Sequence, residues 1–306
     1  MKLHIRKSFF TLLELLIVIS IISMLAGMIL PGIGKAKQRA KYVRWMAYNA
    51  QFNRDPDTVL NFNFAYPDFT VEYQGSSFPG LKNGAVACDA EKFDLNNYHG
   101  VLINDPEWKI GGGRWGFNNA LYFDGRNDFV EVPGKKALDF DPLKDDFTIS
   151  VWVNFDKLTS TQALFSKSEW PKYAQYDAYI LNKNFEADFG TSTFRWAQPD
   201  DLKQENQWVN ITMTARDKNY KMYVNGKLLG NSVKPKGSGI SSSVTDANFL
   251  LGAAGKQGGK TKIAGRKTTT METSSYFQGL MDEAIVLKRG LSDTEVKNIY
   301  LMGKAQ

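Results

Sequence analysis

The chain has 306 residues, of which 43% are hydrophobic, 23% charged and 13% aromatic, so it can bury one large core or two ordinary ones. That excludes a disordered tail, a collagen-like repeat and a disulfide-stapled miniprotein, while the lone Cys88 with His4 and His99 leaves little for cysteine-zinc or histidine-dependent chemistry. The net charge of +6 comes from the first 50 residues, where eight Lys/Arg face Glu14 alone; the other 30 basic and 31 acidic side chains nearly cancel, so a nucleic-acid partner is not expected.

Phe9 to Leu30 reads FFTLLELLIVISIISMLAGMIL, with Thr11, Glu14, Ser20 and Ser23 its only polar side chains. At about 1.5 Å per residue such a helix just crosses a hydrocarbon layer of about 30 Å. It is longer than the apolar stretch of a cleaved secretory signal, so the expectation is a membrane anchor over residues 9–30. Glu14 costs a few kcal/mol inside an apolar helix unless it is hydrated near the interface or meets a cation after assembly.

Lys7-Ser8-Phe9 followed by FTLLELLIVISIISMLAG resembles the N-terminal segment of type IV pilins and of type II secretion pseudopilins. The resemblance implies that a prepilin peptidase cuts before Phe10 and methylates the new amine. Glu14 would then pair with the amine of a neighbouring pilin or pseudopilin subunit, and Pro31 would be the family's helix-kinking proline. The sequence departs from the pattern at Phe9, where the family has Gly. Cleavage would then be slow or absent, or would shift to Ser8/Phe9 and spoil the register of Glu14. An uncleaved chain would stay a single-pass membrane protein. Three basic residues precede the span and five follow it, which by the positive-inside count puts the C-terminal part in the cytoplasm. The pilin resemblance implies the opposite orientation, with the large domain periplasmic or surface-exposed on a bacterial inner membrane, and that orientation is the expectation.

Residues 33–52 lack Pro and have no Gly after Gly34, so they are expected to continue the helix as a basic stalk or to lie on anionic headgroups. Asn53-Arg54-Asp55-Pro56 ends it. The expected organisation is a leader over 1–9, a membrane helix and stalk over 10–52, a linker over 53–57 and one domain over 58–306.

From Thr58 the pattern changes to short alternating runs: 58–66, 119–124, 128–132, 146–155, 162–167, 176–181, 207–216, 219–225, 247–252 and 279–288. Even spacing without intervening helices predicts a mainly β, antiparallel sandwich. In 146–155, Phe147, Ile149, Val151, Val153 and Phe155 share one face, and Thr148, Ser150, Trp152 and Asn154 the other. A helix over 292–302 closes the chain, with Ser292 and Glu295 spaced as a capping box.

GRWGFNNALYFDGRNDFVEVP, DFTISVWVNF, QWVNITMTARDKNYKMYVNGKLLG and GLMDEAIVLKRGLSDTEVKNIY resemble, in order, the segments of laminin-G-like jelly rolls in the concanavalin A-like lectin/glucanase superfamily. The likeness covers about residues 57–304 and is most specific at G-x-x-D-E followed by L-S-D-x-E-V. The stretches 67–98 and 252–275 are longer than the pattern.

Glycosidases of that superfamily carry paired carboxylates, usually as E-x-D-x-E on one strand. No such run is found; Asp282-Glu283 are adjacent and so expected on opposite faces, and no serine or zinc hydrolase motif is present, so no enzyme is expected. A structural calcium is the candidate cofactor. Asp124, Asn127 and Asp128 supply oxygens in one turn, and the resemblance implies Asp124 and Asp282 as ligands; the alternative is a plain Asp124-Gly125 hairpin turn with Asp282 in a hydrogen-bond network. Trp170, Tyr173, Tyr176 and Trp196 are candidate sugar-stacking aromatics, or rim packing. The basic stretch 252–275 would be a solvated loop or touch an anionic polymer. The function expected is a pilin-like envelope protein displaying a lectin-like domain for binding or adhesion to glycans or other surface ligands. The alternative is a structural pseudopilin or minor pilin without a ligand.

Overall fold

A computed structural model describes residues 11–85, 98–133, 136–141, 144–158, 161–169, 173–181, 184–190, 192–196, 205–230, 247–256, 262–263, 266–267 and 272–305. It divides the chain into a unit ending at Arg44 and a unit from Trp45 to the C-terminus. Helix α1 (Leu12–Arg54) belongs to both and runs through Pro31. It stops ahead of Pro56, because a proline disfavours helical geometry in the residue before it; the Asp57 amide donates to Asp55 Oδ1 at 2.9 Å in the turn that follows. The apolar part of α1 is long enough to cross a membrane and is not buried within the protein.

Along the second unit the strands are β1 (Thr58–Phe62), β2 (Thr70–Tyr73), β3 (Ser76–Leu81), β4 (Gly100–Ile103), β5 (Glu107–Lys109), β6 (Ala120–Asp124) and β7 (Phe129–Val132). Next come β8 (Phe147–Phe155), β9 (Gln162–Glu169), β10 (Tyr173–Leu181), β11 (Asn184–Gly190), β12 (Ser192–Trp196), β13 (Trp208–Arg216) and β14 (Asn219–Val224). The last are β15 (Lys227–Leu228), β16 (Phe249–Leu251), β17 (Ala254–Lys256), β18 (Lys262–Ile263), β19 (Arg266–Lys267), β20 (Glu272–Ser274) and β21 (Gln278–Leu287), followed by α2 (Asp293–Gly303).

They build two large antiparallel sheets. One has eight strands in the order β15-β14-β13-β8-β21-β6-β5, with β1 also paired to β21. The other has nine, ordered β12-β11-β10-β9-β16-β7-β4-β3-β2. Phe147, Ile149, Val151, Val153 and Phe155 meet Tyr176, Ala178, Ile180, Phe249 and Leu251 in the core between them, as the alternation in β8 predicts. This is the expected mainly β sandwich, with every expected strand present in shortened or slightly extended form.

Two differences from expectation have physical causes. The expected stalk end is part of the domain: Tyr48 and Phe52 are buried with Ile285, Leu287, Val296 and Ile299 on the outer face of the eight-stranded sheet. Apolar residues at 48 and 52 fall on one side of a helix, four positions apart, which is a packing signal hidden among basic neighbours. The longer stretch 67–98 is structural in its described part, since β2 and β3 complete the nine-stranded sheet and Val71, Tyr73 and Phe78 pack on Val101, Ile103 and Phe129. Helix α2 begins with the expected capping box, Ser292 Oγ accepting from the Glu295 amide and Glu295 accepting from the Ser292 amide.

Candidate functional site

The most specific sequence block, G-x-x-D-E, meets the GRWGFNN segment in one buried cluster. Arg114 donates from its amide to Asp282 Oδ2 at 3.0 Å and from Nε to the Gly303 carbonyl at 2.7 Å, and pairs with Asp282 at 3.3 Å and with Glu283. Asn118 Nδ2 lies 2.9 Å from both Asp282 oxygens, and Asn49 Nδ2 donates to Glu283 Oε1 at 2.9 Å. The guanidinium also lies over the Trp152 ring at 4.4 Å. Burial pushes both carboxyls up from their ordinary values, and Arg114 opposes the shift.

The expectation that Asp282 and Glu283 face opposite sides fails. A bulge between Asp282 and Ala284, with Glu283 at φ +48, breaks the two-residue alternation and aims both carboxylates at Arg114. Gly279 of the same block has φ +140, and a Cβ there would sit 2.1 Å from the Asn154 carbonyl oxygen. With no solvent access, this cluster holds the sheet, α2 and the end of α1 together rather than meeting a substrate.

Of the candidate calcium ligands, Asp124, Asn127 and Asp128 share one turn and Asp282 stands apart from it. Asp124 pairs in register with Gln278, whereas Asp282 lies further along β21 opposite Trp152. In the turn, Asp128 Oδ2 accepts from the Asp124 amide at 3.0 Å and Asp124 Oδ1 from the Arg126 amide at 2.8 Å. Asn127 offers its backbone carbonyl to Asn104 Nδ2 at 2.8 Å. Burial raises the Asp128 carboxyl to about 6. Among the described residues no group of three or more His, Cys, Asp or Glu is arranged to hold a metal ion.

The expected aromatic strip is also corrected. Tyr176 is fully buried, packs at a tilt against Phe140 and Phe147, and donates its hydroxyl to the Leu138 carbonyl at 2.8 Å. Trp196 belongs to the same core. Both lie on the inward face of their strands, where a ring packs instead of stacking on a sugar. Trp170 and the Tyr173 side chain lie outside the described residues, as do Phe9, Phe10 and Cys88. Glu14 Oε2 accepts from the Thr11 amide and hydroxyl, each at 2.9 Å, and so caps the start of α1.

What the structure does assemble is a polar patch on the outer face of the nine-stranded sheet. Ser166 of β9, Asp177 of β10, Asp188 of β11 and Thr193 of β12 stand directly opposite one another across three strand pairs. In the next row Tyr179 faces Glu186, which faces Arg195. Asp177 is fully buried, accepts from the Lys167 amide at 3.2 Å and from the Tyr179 hydroxyl at 2.8 Å, and is raised to about 7 by burial and by the Asp188 charge. Burial likewise raises Asp188, against a hydrogen bond from Thr193. Arg195 Nε donates to Glu186 at 2.8 Å. A cavity of about 200 Å³ opens here, lined by Tyr179, Glu186, Asp188, Leu181, Thr161 and chain from Ala254 and Ser275. Asp188 Oδ1 is buried without a hydrogen-bond partner.

Sequence reasoning missed this site, although Glu186-Ala187-Asp188 carried a signal. Carboxylates two residues apart share one strand face, but the E-x-D-x-E pattern needs a third acid at a position that here holds Gly190.

A family model described as "Concanavalin A-like lectin/glucanases superfamily" (Laminin_G_3) matches residues 123–297. No curated protein matches the chain. Among solved structures, the binding domain of botulinum neurotoxin serotype D is similar at 13% identity and TM-score 0.51, over 83% of this chain and 52% of that one. The binding domain of Paraclostridial Mosquitocidal Protein 1 is similar at 14% identity and TM-score 0.54, over 80% and 52%. Trypanosoma rangeli sialidase in complex with the inhibitor DANA is similar at 12% identity and TM-score 0.50, over 86% and 38%. The chain thus spans about half, or less, of the length of these structures, and at such identities the likeness is one of fold.

Proposed function

The chain belongs to the concanavalin A-like lectin/glucanases superfamily, and from that premise we propose that it is a membrane-anchored binding protein whose jelly roll takes a glycan on the outer face of the nine-stranded sheet. The observation that carries the reading is the cavity beside Tyr179, Glu186 and Asp188, with a buried carboxylate oxygen that lacks a donor. A hydroxyl-rich ligand satisfies that oxygen, and the Tyr179 ring supplies an apolar wall. Binding is favoured over hydrolysis because Glu186 is held by Arg195 and Asp177 by Tyr179 and a backbone amide, which among the described residues of this patch leaves no free pair of carboxylates to flank a bond.

The anchor is residues 12–30 of α1, supported by length and apolarity. In this reading the segment is processed in the manner of a pilin, with cleavage between Phe9 and Phe10 by a prepilin peptidase, and the domain lies outside the cytoplasmic membrane. A structural calcium near Asp124 and Asp128 belongs to the same proposal, without Asp282.

The test is glycan-array binding of the detergent-solubilised full chain, compared with Asp188→Asn. Array signals lost in the variant support the reading, and an array blank for both overturns it. The N-terminal mass of membrane and sheared surface fractions tests the anchor. A methylated chain starting at Phe10 supports pilin-like processing, and an intact Met1 confined to membranes overturns it.

A further inference from the structure

Resting on that reading of the outer face, we infer that the cavity selects a ligand with a free amino group, an unacetylated amino sugar among glycans, over neutral and acidic sugars. Among the described residues that line the cavity two side chains are acidic, Glu186 and Asp188, and none is basic. Asp177 adds a third carboxylate, directly across from Asp188 on β10. Among the described residues the guanidinium nearest in register, Arg195, pairs with Glu186 rather than with Asp188.

Asp188 Oδ1 is the atom that decides the ligand's chemistry. It is buried and lacks a hydrogen-bond donor, while Thr193 serves the same carboxylate from β12. An unpaired buried carboxylate is costly, and an ammonium relieves both the missing hydrogen bond and the charge. A neutral hydroxyl relieves only the first. A sugar carboxylate meets like charge at short range in a partly desolvated cleft. The cavity of about 200 Å³ holds roughly half a dozen waters, so it admits one ring with its substituents rather than a folded oligomer. An organic cation fits better than a metal ion, because no group of three ligating side chains is arranged for a metal among the described residues.

The experiment is calorimetric titration of the full chain in lipid nanodiscs at neutral pH with three probes: a glucosamine tetramer, its fully N-acetylated counterpart and a tetragalacturonate. The glucosamine oligomer is expected to bind about tenfold or more tightly over the acetylated one, as a charge-assisted hydrogen bond implies, with no measurable galacturonate binding. Asp188→Asn keeps the shape and should erase the preference. Leu181→Trp, which fills the cavity from its rim, should abolish binding of all probes, and it provides the test should Asp188→Asn fail to fold. Equal or tighter binding of the acetylated oligomer, weakened by Leu181→Trp, overturns the amine inference and leaves the outer-face reading standing. Glucosamine binding that survives both substitutions places the amine elsewhere and overturns the inference. If no probe binds and the glycan array is also blank, both readings fall.

Discussion

The side-chain amide of Asn49 donates to the Glu283 carboxylate at 2.9 Å, linking the last turns of α1 to the final strand across 234 positions of sequence. With Tyr48 and Phe52 buried beside it, the end of the helix is a component of the sandwich rather than a tether to it. A fragment that begins at Trp45 is therefore expected to fold, whereas one that begins at Thr58 exposes the face that Tyr48 and Phe52 cover and leaves Glu283 short of a donor. The loss should be about 3–5 kcal/mol, the cost of deleting a large buried aromatic. Denaturant unfolding of the two fragments checks this, and equal midpoints would show the helix end to be dispensable.

Arg114→Ala should destabilise by about 3–5 kcal/mol at neutral pH, because it strands two buried carboxylates. Without the guanidinium both carboxyl values rise further, so the folded variant binds protons that the unfolded chain has already released. Its stability therefore recovers as pH falls towards the ordinary carboxylate range and worsens as pH rises. Melting curves from pH 5 to 8 should show the gap to wild type narrowing in acid. A gap that widens in acid would contradict the assignment.

Asp177 is raised to about 7 by burial and by Asp188. A carboxyl whose folded value lies above its unfolded one contributes most below the unfolded value, and the contribution is lost as pH rises to the folded one. Asp177→Asn, which mimics the protonated form, should match wild type near pH 4 and be the more stable of the two above about pH 7. Thermal midpoints across that window decide it, and a variant less stable than wild type at pH 8 would refute the shift.

Tyr176→Phe removes one buried hydrogen bond, to the Leu138 carbonyl, and should cost about 1–3 kcal/mol since that carbonyl loses its donor. Trp196→Ala should cost about 3–5 kcal/mol as a core deletion. Neither should change the affinity of the folded protein for its ligand. A large affinity change at unchanged stability would return these rings to the binding surface.

Asp124 Oδ1 is engaged by the Arg126 amide, and a neutral amide oxygen can accept the same bond. Asp124→Asn is thus expected to shift stability by no more than about 0.5 kcal/mol in the absence of calcium. If the turn binds the ion without Asp282, calcium raises the melting temperature of wild type and the variant abolishes that rise. Identical melting curves of wild type with calcium and with chelator would remove calcium from this turn.

Local patterns were legible where the physics is local. Alternation in Phe147–Phe155 needs only the geometry of one strand to assign its buried face, and the Ser292/Glu295 cap needs only a three-residue spacing. Glu186 and Asp188 obey the same alternation and could have been read as one face of one strand.

What the sequence by itself determined is the class of the protein: an apolar N-terminal helix long enough to span a membrane, then an antiparallel sandwich closed by a capped helix, because periodicity, turn residues and caps act over a few positions. Only the tertiary structure decided which carboxylates meet. A bulge at Glu283 overrode the period of two and brought it with Asp282 to Arg114, far away in sequence. Strand register set Asp177 opposite Asp188, and the inward turn of Tyr176 and Trp196 took those rings from the surface into the core. Register and bulges arise from how distant strands pair and pack, so no short window of residues contains them.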